Sequence, residues 1–126
     1  MKELEFYECE DCNYLKVDLV DDSNCECDSM LMLVPNTEEA SQEKHLPVAT
    51  FENEILNVEV GSVLHPMTEE HYIRGLYIVT DNGIYMQKEL LPNDKPSYSF
   101  KIDDAKKVDI YAVCNLHGVW KTTIER

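Results

Sequence analysis

From residue 46 onward, apolar side chains recur at every second position in short runs, and turn residues break the runs. Leu56, Val58 and Val60 alternate with Asn57 and Glu59; Tyr98, Phe100 and Ile102 alternate likewise; Val108, Ile110 and Ala112 alternate with Asp109 and Tyr111. A period of two places each set on one face of a strand, which no helix can do. Residues 76–79 form a continuous apolar run that leads through Thr80 into Asp81-Asn82-Gly83. Asn-Gly between two apolar runs predicts a hairpin. Residues 84–91 are the returning strand, ended by Pro92-Asn93-Asp94. Short strands with turn signals at this spacing predict an antiparallel β-sandwich of about 90 residues. Only residues 37–43 read as helical.

The first 36 residues are of another kind. They hold four of the five cysteines, none of the four histidines, and two basic residues against ten acidic ones. A segment that short cannot fold on its own core and needs a metal, a disulfide or a docking surface. Val34-Pro35-Asn36-Thr37 reads as a linker, because the residue before proline is biased away from helix. The expected organisation is therefore a Cys-rich module over residues 1–36 and a sandwich over 37–126. The net charge of −14 argues against a binder of nucleic-acid phosphates or of an anionic membrane surface. No apolar run approaches the roughly 20 residues that span a bilayer. Met1-Lys2-Glu3-Leu4-Glu5-Phe6 carries no apolar signal-peptide core, so the expectation is a cytoplasmic protein.

In a reducing compartment, clustered cysteines point to metal ligation more than to a disulfide framework. Cys9-Glu10-Asp11-Cys12 is a C-x-x-C knuckle, one half of a tetrahedral iron or zinc site, and Cys25-Glu26-Cys27 follows twelve residues later. Cys114 stands alone near the end of the chain. A single histidine is most often a surface residue or a satisfied core residue. Here, though, His45, His65, His71 and His117 all fall in turn or strand-end segments, beside proline, glycine or the lone cysteine. Loops of a sandwich cluster at the ends of its strands, so these segments can converge. Four imidazoles and one thiolate exceed the four ligands of structural zinc, and their mixed softness suits iron better.

Three stretches carry a resemblance: Glu43-Lys44-His45-Leu46-Pro47-Val48, His65-Pro66-Met67-Thr68-Glu69-Glu70-His71-Tyr72-Ile73, and Cys114-Asn115-Leu116-His117-Gly118. In these the chain resembles the desulfoferrodoxin family, the superoxide reductases of anaerobic and microaerophilic microbes, and the resemblance runs over essentially its whole length. It implies a small desulforedoxin-like module followed by an immunoglobulin-like sandwich. It also implies a mononuclear non-haem iron with His45, His65, His71 and His117 in the equatorial positions and Cys114 on the axis, leaving one position open for a small substrate. The implied reaction is the one-electron reduction of superoxide: with one electron and two protons it becomes hydrogen peroxide.

By the same resemblance, Lys44 supplies local positive charge for an anion approaching an acidic chain, and holds the water that protonates the product. Glu43 matches the glutamate that closes onto the open position in the ferric state. The implied electron donor is rubredoxin or a similar small carrier, and the implied assembly is a homodimer. Glu69 and Glu70 receive no role, and Trp120 and Tyr72 read as packing rather than electron relays.

The N-terminal cysteines depart from the family pattern. Two adjacent cysteines are expected where Cys25-Glu26-Cys27 stands, so Cys25 matches the first and Cys27 falls one position late. Cys9, Cys12, Cys25 and Cys27 are the candidate ligands of a second, four-thiolate iron or zinc site, with a disulfide or an empty site as alternatives. The rival functional reading is a rubredoxin-like electron carrier or a zinc-stapled structural module, in which the sandwich is scaffold. An open coordination position distinguishes the enzyme, because an electron carrier has no use for one.

Overall fold

A computed structural model describes residues 1–9, 14–20, 31–38, 45–61 and 65–126. The described residues contain strands and no helix: β1 (Glu3–Glu8), β2 (Leu15–Val20), β3 (Leu31–Leu33), β4 (Pro47–Glu52), β5 (Ile55–Val60), β6 (Ile73–Thr80), β7 (Tyr85–Glu89), β8 (Ser97–Lys101), β9 (Lys107–Cys114) and β10 (Gly118–Glu125). Every strand pair is antiparallel. The strands form three sheets, with orders β2-β1-β3, β10-β9-β6-β7 and β4-β5-β8. Thr37 and Glu38 are not helical. The rest of the expected helix lies outside the described residues.

The period-two runs became β5, β8 and β9, with Leu56, Val58, Val60, Phe100, Val108, Ile110 and Ala112 all buried in one core. This core fills the space between the four-stranded sheet and β4-β5-β8. The Asn82-Gly83 signal turns β6 into β7. Gly83 sits at a φ of 87°, which costs a residue without a Cβ little, and Ile84 donates its N–H to the Thr80 hydroxyl at 2.9 Å.

Strand alternation predicts that the second face of β9 meets solvent. It does not. Tyr111 and Val113 are buried with Val79 and Val119 against Leu4 and Phe6 of β1. The Phe6 ring meets Tyr77 edge-on at 5.2 Å and Tyr111 at 5.4 Å. The N-terminal sheet therefore lies on the outer face of the four-stranded sheet, making it the middle of three layers. Below the Cys-rich reading lay an alternating strand, Leu4 and Phe6 inward, whose docking surface is this face. Two polar contacts accompany the packing: the backbone N–H of Leu4 reaches the Tyr111 hydroxyl at 3.4 Å, and Lys121 lies 3.7 Å from the buried Asp109 carboxylate.

The linker is also docked. Asn36 forms a parallel bridge with Trp120 on the free edge of β10. Its N–H and its side-chain Nδ2 both donate to the Val119 carbonyl, at 2.8 and 3.1 Å, and its carbonyl accepts from Lys121 N–H at 2.8 Å. No helix among the described residues is long and apolar enough to cross a membrane.

Candidate metal centre

One end of the sandwich gathers the ends of five strands. His45 stands two residues before β4. His65 and His71 lie in the connection from β5 to β6. Cys114 is the last residue of β9, and His117 immediately precedes β10. Strand register makes this convergence compulsory, because Cys114 pairs with Ile73 on one side and with Gly118 on the other. The tight Cys114–Gly118 connection needs Gly118 at a φ of 82°, where an L side chain is strained.

The four imidazoles form a closed ring in the order His45, His65, His71, His117. Neighbouring ring centroids are 4.8, 4.5, 4.9 and 4.8 Å apart, and the diagonal from His45 to His71 is longer, at 6.2 Å. Each neighbouring pair is steeply inclined, at 64–86°. The ligand atoms of His45, His65, His71 and Cys114 all lie within 4.8 Å of one another. His45 Nε2 is 2.9 Å from His117 Nδ1, and Cys114 Sγ is 3.6 Å from His65 Nε2 and 3.8 Å from His117 Nδ1. Two ligands at right angles on one metal, with bonds of 2.0–2.3 Å, stand about 3 Å apart. The donor set therefore fits a single ion of borderline softness, held by nitrogen and sulfur.

Neighbouring groups prepare these donors. His65 Nδ1 lies 2.7 Å from the Pro66 carbonyl, which can only accept, so Nδ1 carries the proton and the Nε2 lone pair faces Cys114. Burial lowers the His65 pKa from 6.5 to about 4, which keeps the ring neutral and able to ligate. Burial also raises the Cys114 thiol, while the backbone N–H groups of Leu116 and His117 oppose that rise by bonding the sulfur. Thr68 holds the His71 backbone through bonds to its N–H at 3.1 Å and its carbonyl at 3.2 Å. Asn115 ties the two ligand loops together: Oδ1 accepts from Tyr72 N–H at 3.0 Å, and Nδ2 donates to the Glu70 carbonyl at 3.0 Å.

The structure thus brings together all five residues expected at the main site. Lys44 and Glu43 lie outside the described residues. So do Cys12, Cys25 and Cys27. Cys9, just past β1, is disulfide-bonded, the alternative that its spacing left open, and a four-thiolate site requires that bond to be reduced. Sequence reasoning passed over Asn115 and read Trp120 only as packing. The signal for Asn115 was its place between Cys114 and His117. For Trp120 it was the chain's only tryptophan standing three residues after a candidate ligand.

A family model described as desulfoferrodoxin matches residues 37–123. The desulfoferrodoxin of Clostridium acetobutylicum is 41% identical over 103 residues, covering 82% of this chain and 80% of that one. The desulfoferrodoxin of Syntrophotalea carbinolica is 40% identical over 129 aligned positions, covering 96% and 97%. Among solved structures, the superoxide reductase from Treponema pallidum matches with a TM-score of 0.78 at 29% identity, covering 97% of this chain and 99% of that one. The superoxide reductase from Giardia intestinalis matches with a TM-score of 0.59 at 27% identity, over 68% of this chain and 100% of that one.

Proposed function

Because the chain belongs to the desulfoferrodoxin family, we propose that it is a superoxide reductase whose iron is held by His45, His65, His71, His117 and Cys114. The observation that carries this reading is the closed ring of four imidazoles with a buried cysteine sulfur against it. Iron in that ring supplies the one-electron change between ferrous and ferric states that turns superoxide, with two protons, into hydrogen peroxide.

The protein's own groups do the rest. Neutral His65 and the Cys114 sulfur, which accepts two backbone N–H bonds, form the inner wall. His117 is exposed and His45 half-exposed, so a small anion enters on their side. Lys44, one residue from His45 in sequence, offsets the repulsion of a chain with net charge −14 and holds the proton-donating water. Glu43 would close onto the open position in the ferric state. A rubredoxin-like carrier supplies the electron. The module of residues 1–36 holds a second iron or zinc through Cys9, Cys12, Cys25 and Cys27 when these are reduced, and pairs with its copy in a homodimer. The protein works in the cytoplasm.

Purification without air, followed by metal counting and visible spectroscopy, tests the reading. The expected result is one iron per sandwich and a thiolate-to-ferric band on oxidation that Cys114→Ala removes, together with superoxide consumption that evolves no oxygen. Colourless protein with stoichiometric zinc, unchanged after iron reconstitution, overturns it.

A further inference from the structure

Trp120 makes two contacts that packing alone does not require. Its indole lies nearly parallel to the His45 ring, with centroids 4.7 Å apart and planes inclined by 17°, whereas neighbouring imidazoles of the ring meet edge-on. Its Nε1–H donates to the carbonyl of His117 at 3.0 Å. One side chain therefore touches two adjacent members of the imidazole ring, both on its open side.

The plate itself is held firmly. Trp120 pairs with Ala112 of β9 on one side. On the other, Asn36 bonds both neighbours of Trp120 in the chain, Val119 through its carbonyl and Lys121 through its N–H. His45 has the opposite character, because it stands outside the ladder, before β4 begins. A ligand on a connecting segment needs an external group to fix its ring, and such groups typically change metal affinity 10–100-fold when removed.

We propose that Trp120 is a positioning residue for the metal site: its indole face orients the His45 imidazole, and its N–H fixes the backbone of His117. The proposal rests on the reading that these histidines hold a metal.

Two variants separate the contacts. Trp120→Phe keeps a ring that can stack but loses the N–H; Trp120→Leu loses both. Each is loaded with cobalt(II), and the rate of metal loss to a chelator is followed beside the thiolate-to-metal band and the melting of the metal-free protein. Trp120 is the only tryptophan, so its fluorescence in metal-free wild type and His45→Ala reads the stack directly. The expected result is an emission change in His45→Ala, metal loss about 10–100-fold faster in Trp120→Leu, and an intermediate rate with a near-native band in Trp120→Phe. Retention in Trp120→Leu equal to wild type overturns the inference. So does accelerated loss that is the same in both variants and parallels a fall in metal-free melting, which marks a purely structural role. If wild type takes up no cobalt and shows no Cys114-dependent band, the metal reading fails and takes this inference with it.

Discussion

His65 and Cys114 are each 3% exposed and belong to the sandwich interior, whereas His45 is half-buried and His117 is exposed at the rim. The inner pair is fixed by position: Cys114 ends the central strand β9, packed among core residues, and His65 Nδ1 is bound to the next carbonyl. The outer pair is fixed by neighbours, above all the indole of Trp120. The difference teaches that one candidate metal site can combine a desolvated wall, fixed by the core, with a more exposed wall fixed by its neighbours.

The sharpest way to break that comparison is to delete one imidazole from each wall. His65→Ala is expected to abolish stoichiometric metal binding, because it removes a donor and leaves a cavity that nothing exposed can fill. His117→Ala is expected to keep a weakened site, since water or added imidazole can reach the vacated place. Metal per chain, measured with and without imidazole, checks this; equal loss in both variants removes the distinction.

Each wall has one member at the middle sheet, Cys114 and His117, and the other face of that sheet carries β1. Phe6→Ala is expected to cost about 3–5 kcal/mol of stability, read by chemical denaturation. Metal affinity of the folded protein should stay unchanged. A parallel loss of affinity would show that the two faces are not insulated.

The buried wall also predicts a pH response. The folded-state pKa of His65 is about 4 against 6.5 unperturbed, so between those values the unfolded chain binds more protons than the native one. The metal-free protein is therefore expected to lose stability as pH falls from 6.5 towards 4, by about 2 kcal/mol once solvent screening is allowed for. His65→Gln should flatten that part of the melting profile, and an unchanged slope would refute the assignment.

The smallest effect should come from the tie between the loops. Asn115→Ala removes the bonds to Tyr72 and Glu70. It is expected to cost about 1 kcal/mol and to speed metal loss roughly tenfold. Chelator competition at constant pH measures it.

Much of this was legible in the chain. The alternation of Leu56, Val58 and Val60, and of Val108, Ile110 and Ala112, identified strands and their inward faces, because side-chain direction in a strand follows from backbone geometry alone. The Asn82-Gly83 turn was legible for the same local reason. The five candidate metal-site residues could be picked out because their types are chemically restricted and no histidine is left over. The second face of β9 was not legible. Tyr111 and Val113 look like a mixed outer face until Leu4 and Phe6, more than a hundred residues away, cover them. Nor was the docking of Asn36, which reads as linker and pairs as a strand edge.

By itself, then, the sequence determined strand identity, the main turn and the candidate donor set, all of which depend on near neighbours or on residue chemistry. Only the tertiary structure decided the cyclic order His45, His65, His71, His117, the inner and outer walls of the ring, and the partnership of Trp120 with His45. These depend on which strand ends meet. Register and sheet packing bring together residues such as His45 and His117, 72 positions apart, and no local preference encodes that distance.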